Sequence, residues 1–147
     1  MRVFFDTNVI LEFLLERENF DDAKRVADMV DRGEIQALFS GLTFDTITYV
    51  LDLCFKKKGM DKSTRIQTLR RTLNILLAKF DVAVVTKDIL MQALNDNKFE
   101  DIEDSCQHQI AFSAGCDCIL TFNKKDFVSS SLAVMTPKEF CDKVSSL

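Results

Sequence analysis

Acidic side chains follow the apolar runs of this sequence, at the points where the strands of a parallel sheet would end. Asp6 comes directly after the first run, and Asp45 lies shortly after the second. The remaining acids open the helix before the fourth run or follow that run: Asp101, Glu103, Asp104 and Asp126. Crowded carboxylates repel one another and raise each other's pKa unless a cation neutralises them. The pattern therefore predicts a site for Mg²⁺ or Mn²⁺, which prefer hard oxygen ligands.

Such a site would suit the hydrolysis of phosphodiester bonds. A metal held by two or three carboxylates can orient water and offset the charge that develops on a phosphoryl group. Acids at the starts of loops and helices also cap helices and stabilise the positive end of the helix dipole. For any one acid alone, that structural role is the better interpretation, so the prediction depends on the whole set.

The elements that would position these acids alternate between short apolar runs and longer segments of helical spacing. The predicted strands are Val3–Phe5, Ile35–Phe39, Val82–Val85, Cys118–Thr121 and an edge strand at Ala133–Met135. Strands separated by helices indicate an α/β fold with a mainly parallel sheet of about five strands. Ligands of such sheets bind beyond the carboxyl ends of the strands.

The helical segments are marked by their spacing and by their ends. The spacing predicts one helix from Val9 to Gly33, a helical hairpin formed by Phe44–Phe55 and Ile66–Leu77, a short helix at Ile89–Leu94 and a helix at Ile102–Ala114. Thr136 begins a segment with Pro137 at the first turn and Glu139 at the capping-box position. That combination predicts the start of a last helix.

Composition predicts one domain spanning residues 1–147, in the cytoplasm. A chain of 147 residues that is 47% hydrophobic can build a substantial core without disulfide bonds or structural metal ions. Its five cysteines are odd in number and scattered, as expected for free thiols in a reducing compartment. The three-residue apolar run before Asp6 is too short for a signal peptide, and no segment is predicted to span a membrane.

The formal charge of −4 excludes broad electrostatic binding of nucleic acid, so any such contact must be local. Lys124 and Lys125 lie near the predicted site and are candidates for binding substrate phosphates. A second basic group consists of Lys56, Lys57, Lys58, Arg65, Arg70 and Arg71. It is either a patch for RNA phosphates or a solvated face, and the second is the commoner case.

Three segments together resemble the PIN-domain family, over essentially the whole chain. They are Asp6-Thr7-Asn8-Val9 after the first strand, Glu103-Asp104 at a helix start, and Thr121-Phe122-Asn123-Lys124-Lys125-Asp126-Phe127 after the fourth strand. The resemblance implies a three-layer α/β/α fold with a protruding helical hairpin, acids that bind Mg²⁺ or Mn²⁺, and cleavage of RNA. Many small bacterial members are VapC-type toxins, which implies a small antitoxin partner and self-association as a dimer.

The resemblance also implies roles for individual residues. Asp6, Asp104 and Asp126 would be catalytic acids and metal ligands, with Thr7, Asn8, Glu103 and Asp101 supporting them. Asn123 stands where many relatives have Asp, and its amide brings no negative charge. The second family acid aligns with Thr46, preceded by Asp45, and one residue on a helix is a rotation of about 100°. Asp45 is the candidate to replace that acid as a metal ligand.

Two other functional classes remain open at this point. A weakened metal site would leave a module that binds RNA or a partner protein, with the helical hairpin as the candidate surface. Asp6 after the first strand also resembles haloacid-dehalogenase-type phosphotransfer enzymes, but Asn8 cannot supply the proton that their second Asp donates. A zinc site is not favoured, because Cys106, His108, Cys116 and Cys118 lack the required spacing.

Overall fold

Five short strands form one parallel sheet in the computed structural model, which describes residues 1–147. They are β1 (Arg2–Phe5), β2 (Gln36–Ser40), β3 (Asp81–Ala83), β4 (Cys118–Leu120) and β5 (Ala133–Met135). The strand order is β3-β2-β1-β4-β5, and every neighbouring pair is parallel. The carboxyl ends of all five strands therefore lie at one edge of the sheet, with the end of β1 at its centre.

Seven α-helices and one 3₁₀ turn connect the strands. They are α1 (Thr7–Leu14), α2 (Phe20–Asp31), α3 (Gly41–Lys57), α4 (Lys62–Lys79), α5 (Lys87–Leu94), α6 (Ile102–Ser113), the 3₁₀ turn (Lys124–Phe127) and α7 (Pro137–Ser145). The capping box predicted at Thr136 and Glu139 is present at the start of α7. None of the seven helices combines the length and the apolar character that crossing a bilayer would require.

The prediction of one continuous helix from Val9 to Gly33 is wrong, because the chain breaks between α1 and α2. Glu16 adopts a left-handed conformation with φ of 48°, and the backbone N–H of Asn19 donates to Glu12 Oε2 at 2.8 Å. The polar run from Glu16 to Asn19 contributes no apolar residue to the core, so nothing holds it in a continuous helix. The two helices pack against each other instead.

Two hydrophobic clusters cover the two faces of the sheet and make three layers, as the resemblance implied. The larger cluster joins one face of β1 and β2 to α1, α2, α3, α4 and α7. The smaller one joins Phe4, Leu38 and Ile119 on the other face to α6 and the 3₁₀ turn. Successive residues of β1 alternate between the two clusters, which is the pattern of a strand buried on both sides.

The predicted helical hairpin is formed by α3 and α4. Their turn contains Gly59, whose φ of 80° favours glycine, and an ion pair of 2.8 Å links Arg65 Nε to Asp52 Oδ1 across the two helices. Only Leu76 of α4 is fully buried, so most of this helix projects from the sheet.

Candidate active site

Asp6 stands at the end of the central strand, where its carboxylate is fixed from three sides. It caps the N-terminus of α1, with Oδ1 accepting the backbone N–H of Thr7 at 2.7 Å. Its Oδ2 accepts from Thr121 Oγ1 at 2.8 Å and from Asn8 Nδ2 at 3.2 Å. Thr121 directly follows β4, so these bonds join the ends of two neighbouring strands.

Asn8 links α1 to the end of β4 through all of its polar atoms. Its Nδ2 also contacts Thr121 Oγ1 at 3.2 Å, and its Oδ1 accepts the backbone N–H of Phe122 at 3.2 Å. An amide engaged in this way orients Asp6 and has no acidic proton to give. The geometry thus favours the predicted supporting position of Asn8 over the phosphotransfer alternative.

The start of α6 brings three more acids to the same edge. Asp101 caps the helix, and its Oδ1 accepts the backbone N–H groups of Glu103 at 2.8 Å and Asp104 at 3.2 Å. Asp101 is therefore used as a helix cap, while the carboxylate of Asp104 is half-buried and forms no hydrogen bond or ion pair within the protein. A carboxylate without protein partners is available to a ligand.

Electrostatic coupling joins acids from three separate segments into one acidic group, made of Asp6, Asp101, Glu103, Asp104 and Asp126. Burial raises the pKa of Asp104 to about 6, with further contributions from the negative charges of the other four. Burial also raises the pKa of Asp6; its hydrogen bonds oppose this shift, and the charges of Glu103 and Asp126 add to it. Five of the six acids predicted at this edge belong to this group, and Asp45 is not among them.

The chemistry of the acidic group fits a hard divalent cation, since its ligands are carboxylates carrying uncompensated negative charge. The arrangement of the side chains is looser than that of a formed metal site. No three His, Cys, Asp or Glu side chains of the chain lie close enough together to form a metal-ligand cluster. A cation would have to draw the carboxylates of Asp6, Asp104 and Asp126 closer to one another.

A buried polar network beside Asp6 was missed by the sequence reasoning. Thr43 Oγ1 contacts Gln107 Nε2 at 2.9 Å, Thr7 Oγ1 at 3.0 Å and Ser40 Oγ at 3.2 Å. Gln107 is 3% exposed, and its Oε1 has no hydrogen-bond partner in the protein. The sequence signal that could have revealed this network is the presence of polar residues at core positions of α3 and α6. Gln107, for example, lies one turn after Asp104 on α6.

Thr46 aligns with the second acid of the family pattern and Asp45 precedes it, and the two residues lie on different sides of α3. Thr43 faces the buried network, and Thr46 follows it by three residues, which places Thr46 within about 60° of the same face. Asp45 is about 160° away from Thr43, is exposed and forms no hydrogen bond or ion pair. Neither Asp45 nor Thr46 is among the principal groups that shift the pKa of Asp6 or Asp104.

Asn123 and the residues of the 3₁₀ turn that follows it differ in their hydrogen bonds and ion pairs. The backbone N–H of Asn123 donates to Thr121 Oγ1 at 3.0 Å, and its exposed side-chain amide forms no hydrogen bond. Lys124 Nζ pairs with Glu139 Oε1 at 2.9 Å, whereas Lys125 forms no ion pair. Asp126 is half-buried and is the residue by which this turn contributes to the acidic group.

His108 and the cysteines serve packing. The backbone N–H of Ser131 donates to His108 Nε2 at 3.3 Å, and the ring lies 5.0 Å from that of Phe99, so His108 is turned into the fold. All five cysteines are free, and four are buried. Burial raises the pKa of the Cys118 thiol to about 12, far from the thiolate that zinc requires.

Comparison with known proteins identifies the family. The PIN domain family profile matches residues 2–125. This chain belongs to the PIN domain family. It is 33% identical to Ribonuclease VapC1 of Aquifex aeolicus over 149 aligned residues, covering 99% of this chain and 97% of that protein.

Solved structures of similar fold agree with this assignment. VapBC-1 from nontypeable Haemophilus influenzae superposes with a TM-score of 0.66 at 18% identity, covering 94% of this chain and 99% of that chain. FitAcB from Neisseria gonorrhoeae gives a TM-score of 0.66 at 18% identity, covering 92% and 98%. PAE2754 from Pyrobaculum aerophilum gives 0.63 at 12% identity, covering 100% and 97%. The PIN fold is thus retained over nearly the whole chain.

Proposed function

We propose that this protein is a metal-dependent endoribonuclease that hydrolyses phosphodiester bonds of RNA. The observation that carries the proposal is the acidic group, in which Asp104 has a pKa of about 6 and no protein partner, next to a firmly held Asp6. The similarity to Ribonuclease VapC1 of Aquifex aeolicus supports the same activity.

Each member of the site has a distinct role in this proposal. Asp6 and Asp104 act directly at the scissile phosphodiester, with Asp126 as the third catalytic acid. Asn8 and Thr7 hold the Asp6 carboxylate in one orientation through their hydrogen bonds to it. Asp101 and Glu103 support Asp104, one as the cap of α6 and the other as a neighbouring charge.

The proposed cofactor is Mg²⁺ or Mn²⁺, held by Asp6, Asp104 and Asp126, with the uncharged Asn123 amide as an additional oxygen donor. Such an ion supplies a more acidic water and charge compensation at the phosphoryl oxygens. The position of Asp45 on α3, turned away from Thr43, does not support its predicted role as a ligand. The chain therefore works with one carboxylate fewer than its family pattern.

We further propose that the protein acts in the cytoplasm as the toxin of a toxin–antitoxin pair, bound by a small antitoxin and self-associating as a dimer. The fold shared with VapBC-1 supports the antitoxin partner. Growth arrest on expression, relieved when the adjacent gene is co-expressed, is the expected result. Harmless expression of a protein that cleaves RNA would contradict the toxin role and leave the nuclease assignment intact.

The nuclease proposal is tested by incubating purified protein with single-stranded and structured RNA in Mg²⁺, Mn²⁺ or chelator. We expect cleavage with metal only, and a loss of roughly a hundredfold or more in Asp6→Asn and Asp104→Asn, as for removal of a group that stabilises the transition state. Asp21→Asn removes an exposed carboxylate of α2 that forms no ion pair, and it should cleave like the parent. Equal cleavage by all four proteins would reject the proposal.

A catalytically weakened module that binds RNA or a protein is the second candidate. It is favoured by the absence of a three-ligand cluster and by Thr46 at the position of the family acid. A folded protein that binds RNA but leaves it uncut in every metal would establish this alternative.

A further inference from the structure

A surface pocket of about 260 Å³ adjoins the acidic group on the side of Asp126. It lies between the loop that precedes α6 and the segment that contains the 3₁₀ turn. Ser129 Oγ donates to the backbone carbonyl of Lys98 at 2.8 Å, which ties the two walls together. Asp126 lines this pocket and is a member of the acidic group, so the pocket directly borders the acidic group.

Two lysines without partners line this flanking pocket. Lys98 and Lys125 form no ion pair, although Glu100 and Asp126 line the same pocket. Lys124, the neighbour of Lys125 in sequence, is already paired with Glu139. The ammonium groups that remain free beside the acidic group are thus those of Lys98 and Lys125, and phosphate oxygens are their natural partners.

An aromatic wall completes the flanking pocket. The Phe99 ring is half-buried and packs against His108 at a centroid distance of 5.0 Å, with an interplanar angle of 31°. His108 is held in turn by the backbone of Ser131, so the position of the aromatic ring is fixed. An aromatic face beside lysines is the arrangement with which proteins hold single-stranded nucleic acid, the base against the ring and the phosphate on the cations.

We propose that the flanking pocket holds one nucleotide of single-stranded RNA against the acidic group. Lys98 and Lys125 bind its phosphates, and Phe99 contacts its base. This inference rests on the proposed function. It adds a site that holds the RNA strand next to the acidic group, whose carboxylates repel the RNA phosphates. Phosphate contacts position a strand without reading its sequence, so these two lysines set affinity and leave sequence preference unchanged.

The test measures RNA binding separately from cleavage. Anisotropy of a short, fluorescein-labelled, mixed-sequence RNA is followed in chelator with Asp104→Asn protein, at several salt concentrations. Adding Lys98→Gln and Lys125→Gln should weaken binding and lower the slope of log affinity against log salt by roughly 1.4, about 0.7 for each phosphate contact. Both lysines are exposed, so the fold should be retained, as circular dichroism can verify.

Lys143→Gln in the same background is the matched control. Lys143 is exposed and unpaired, and its charge acts on Cys118 at the start of β4, so it lies at the opposite edge of the sheet. Its loss should leave the affinity and the salt slope unchanged.

Several results would overturn the proposal. One is a double lysine variant that matches Lys143→Gln, and another is a protein that binds no RNA. A third is adenosine monophosphate binding as tightly as the RNA, which would make the occupant a free nucleotide. Lysine-dependent RNA binding by a parent protein that cuts no RNA would keep the pocket and reject only the nuclease activity.

Discussion

Asp104 shows how a single residue acquires its chemistry from its surroundings. It lies in the first turn of α6, where a carboxylate is ordinarily stabilised by the helix dipole. Burial and four neighbouring acids outweigh that stabilisation and raise its pKa to about 6. In the folded protein, burial and charge repulsion therefore both disfavour the charged form at this position, and a bound cation would offset them.

This raised pKa predicts how stability depends on pH. The pKa of Asp104 is about 6 in the folded state against 3.8 ordinarily, so the folded state binds the proton more tightly between these values. In chelator, the free energy of unfolding should fall as the pH rises from about 4 to about 6. The free energy of unfolding of Asp104→Asn should fall less over this range. The variant should therefore be more stable than the parent at pH 7 but not at pH 4.

Urea unfolding at both pH values measures this effect. Asp21→Asn should retain the full dependence of the parent, because its carboxylate lies outside the acidic group. An equally steep fall in Asp104→Asn would show that the raised pKa of Asp104 is not the cause.

At the scale of the elements, the buried polar network connects the starts of α1 and α3 to α6. Thr43 is 1% exposed and contacts Thr7, Ser40 and Gln107, so one hydroxyl joins the helix that follows Asp6 to the helix that carries Asp104. Buried hydrogen-bond networks rigidify a site when they are satisfied, and in this one Gln107 Oε1 is left without a protein partner.

Thr43→Val tests the network, since valine keeps the shape and removes the hydroxyl. The buried polar atoms of Thr7, Ser40 and Gln107 would lose a partner, and we expect a loss of roughly 1–3 kcal/mol in the free energy of unfolding. Thr46→Val makes the same change at an exposed position one turn later, where the effect should stay within about 0.5 kcal/mol. Chemical denaturation that finds equal effects would argue against a network.

Much of this arrangement could be predicted from the sequence, and the features that were missed can be traced to particular residues. The strands were found within two residues, because each is a short apolar run followed by a polar residue. The break at Glu16 was missed, because apolar spacing continues on both sides of it. Gln107 and Thr43 were missed because their partners lie far apart in the sequence and meet only through the strand order. The same strand order brought Asp6, Asp104 and Asp126 to one edge of the sheet, whereas Asp45 is exposed on α3.

At the scale of the whole molecule, the parallel sheet brings the candidate functional residues to one edge. All five strands end there, so the acidic group and the flanking pocket lie side by side. The chain carries a net charge of −4, and the lysines that would face RNA are few and local. Affinity for RNA should therefore depend steeply on these few contacts.

The most direct test of this account is a titration with Mn²⁺, followed by the loss of the electron paramagnetic resonance signal of the free ion. If the acidic group is one cation site, the parent binds Mn²⁺, while Asp6→Asn and Asp104→Asn each weaken binding roughly tenfold or more. Asp21→Asn should bind like the parent. Absence of Mn²⁺ binding, or equal affinity in all four proteins, would contradict the central claim that these carboxylates act together as a metal site.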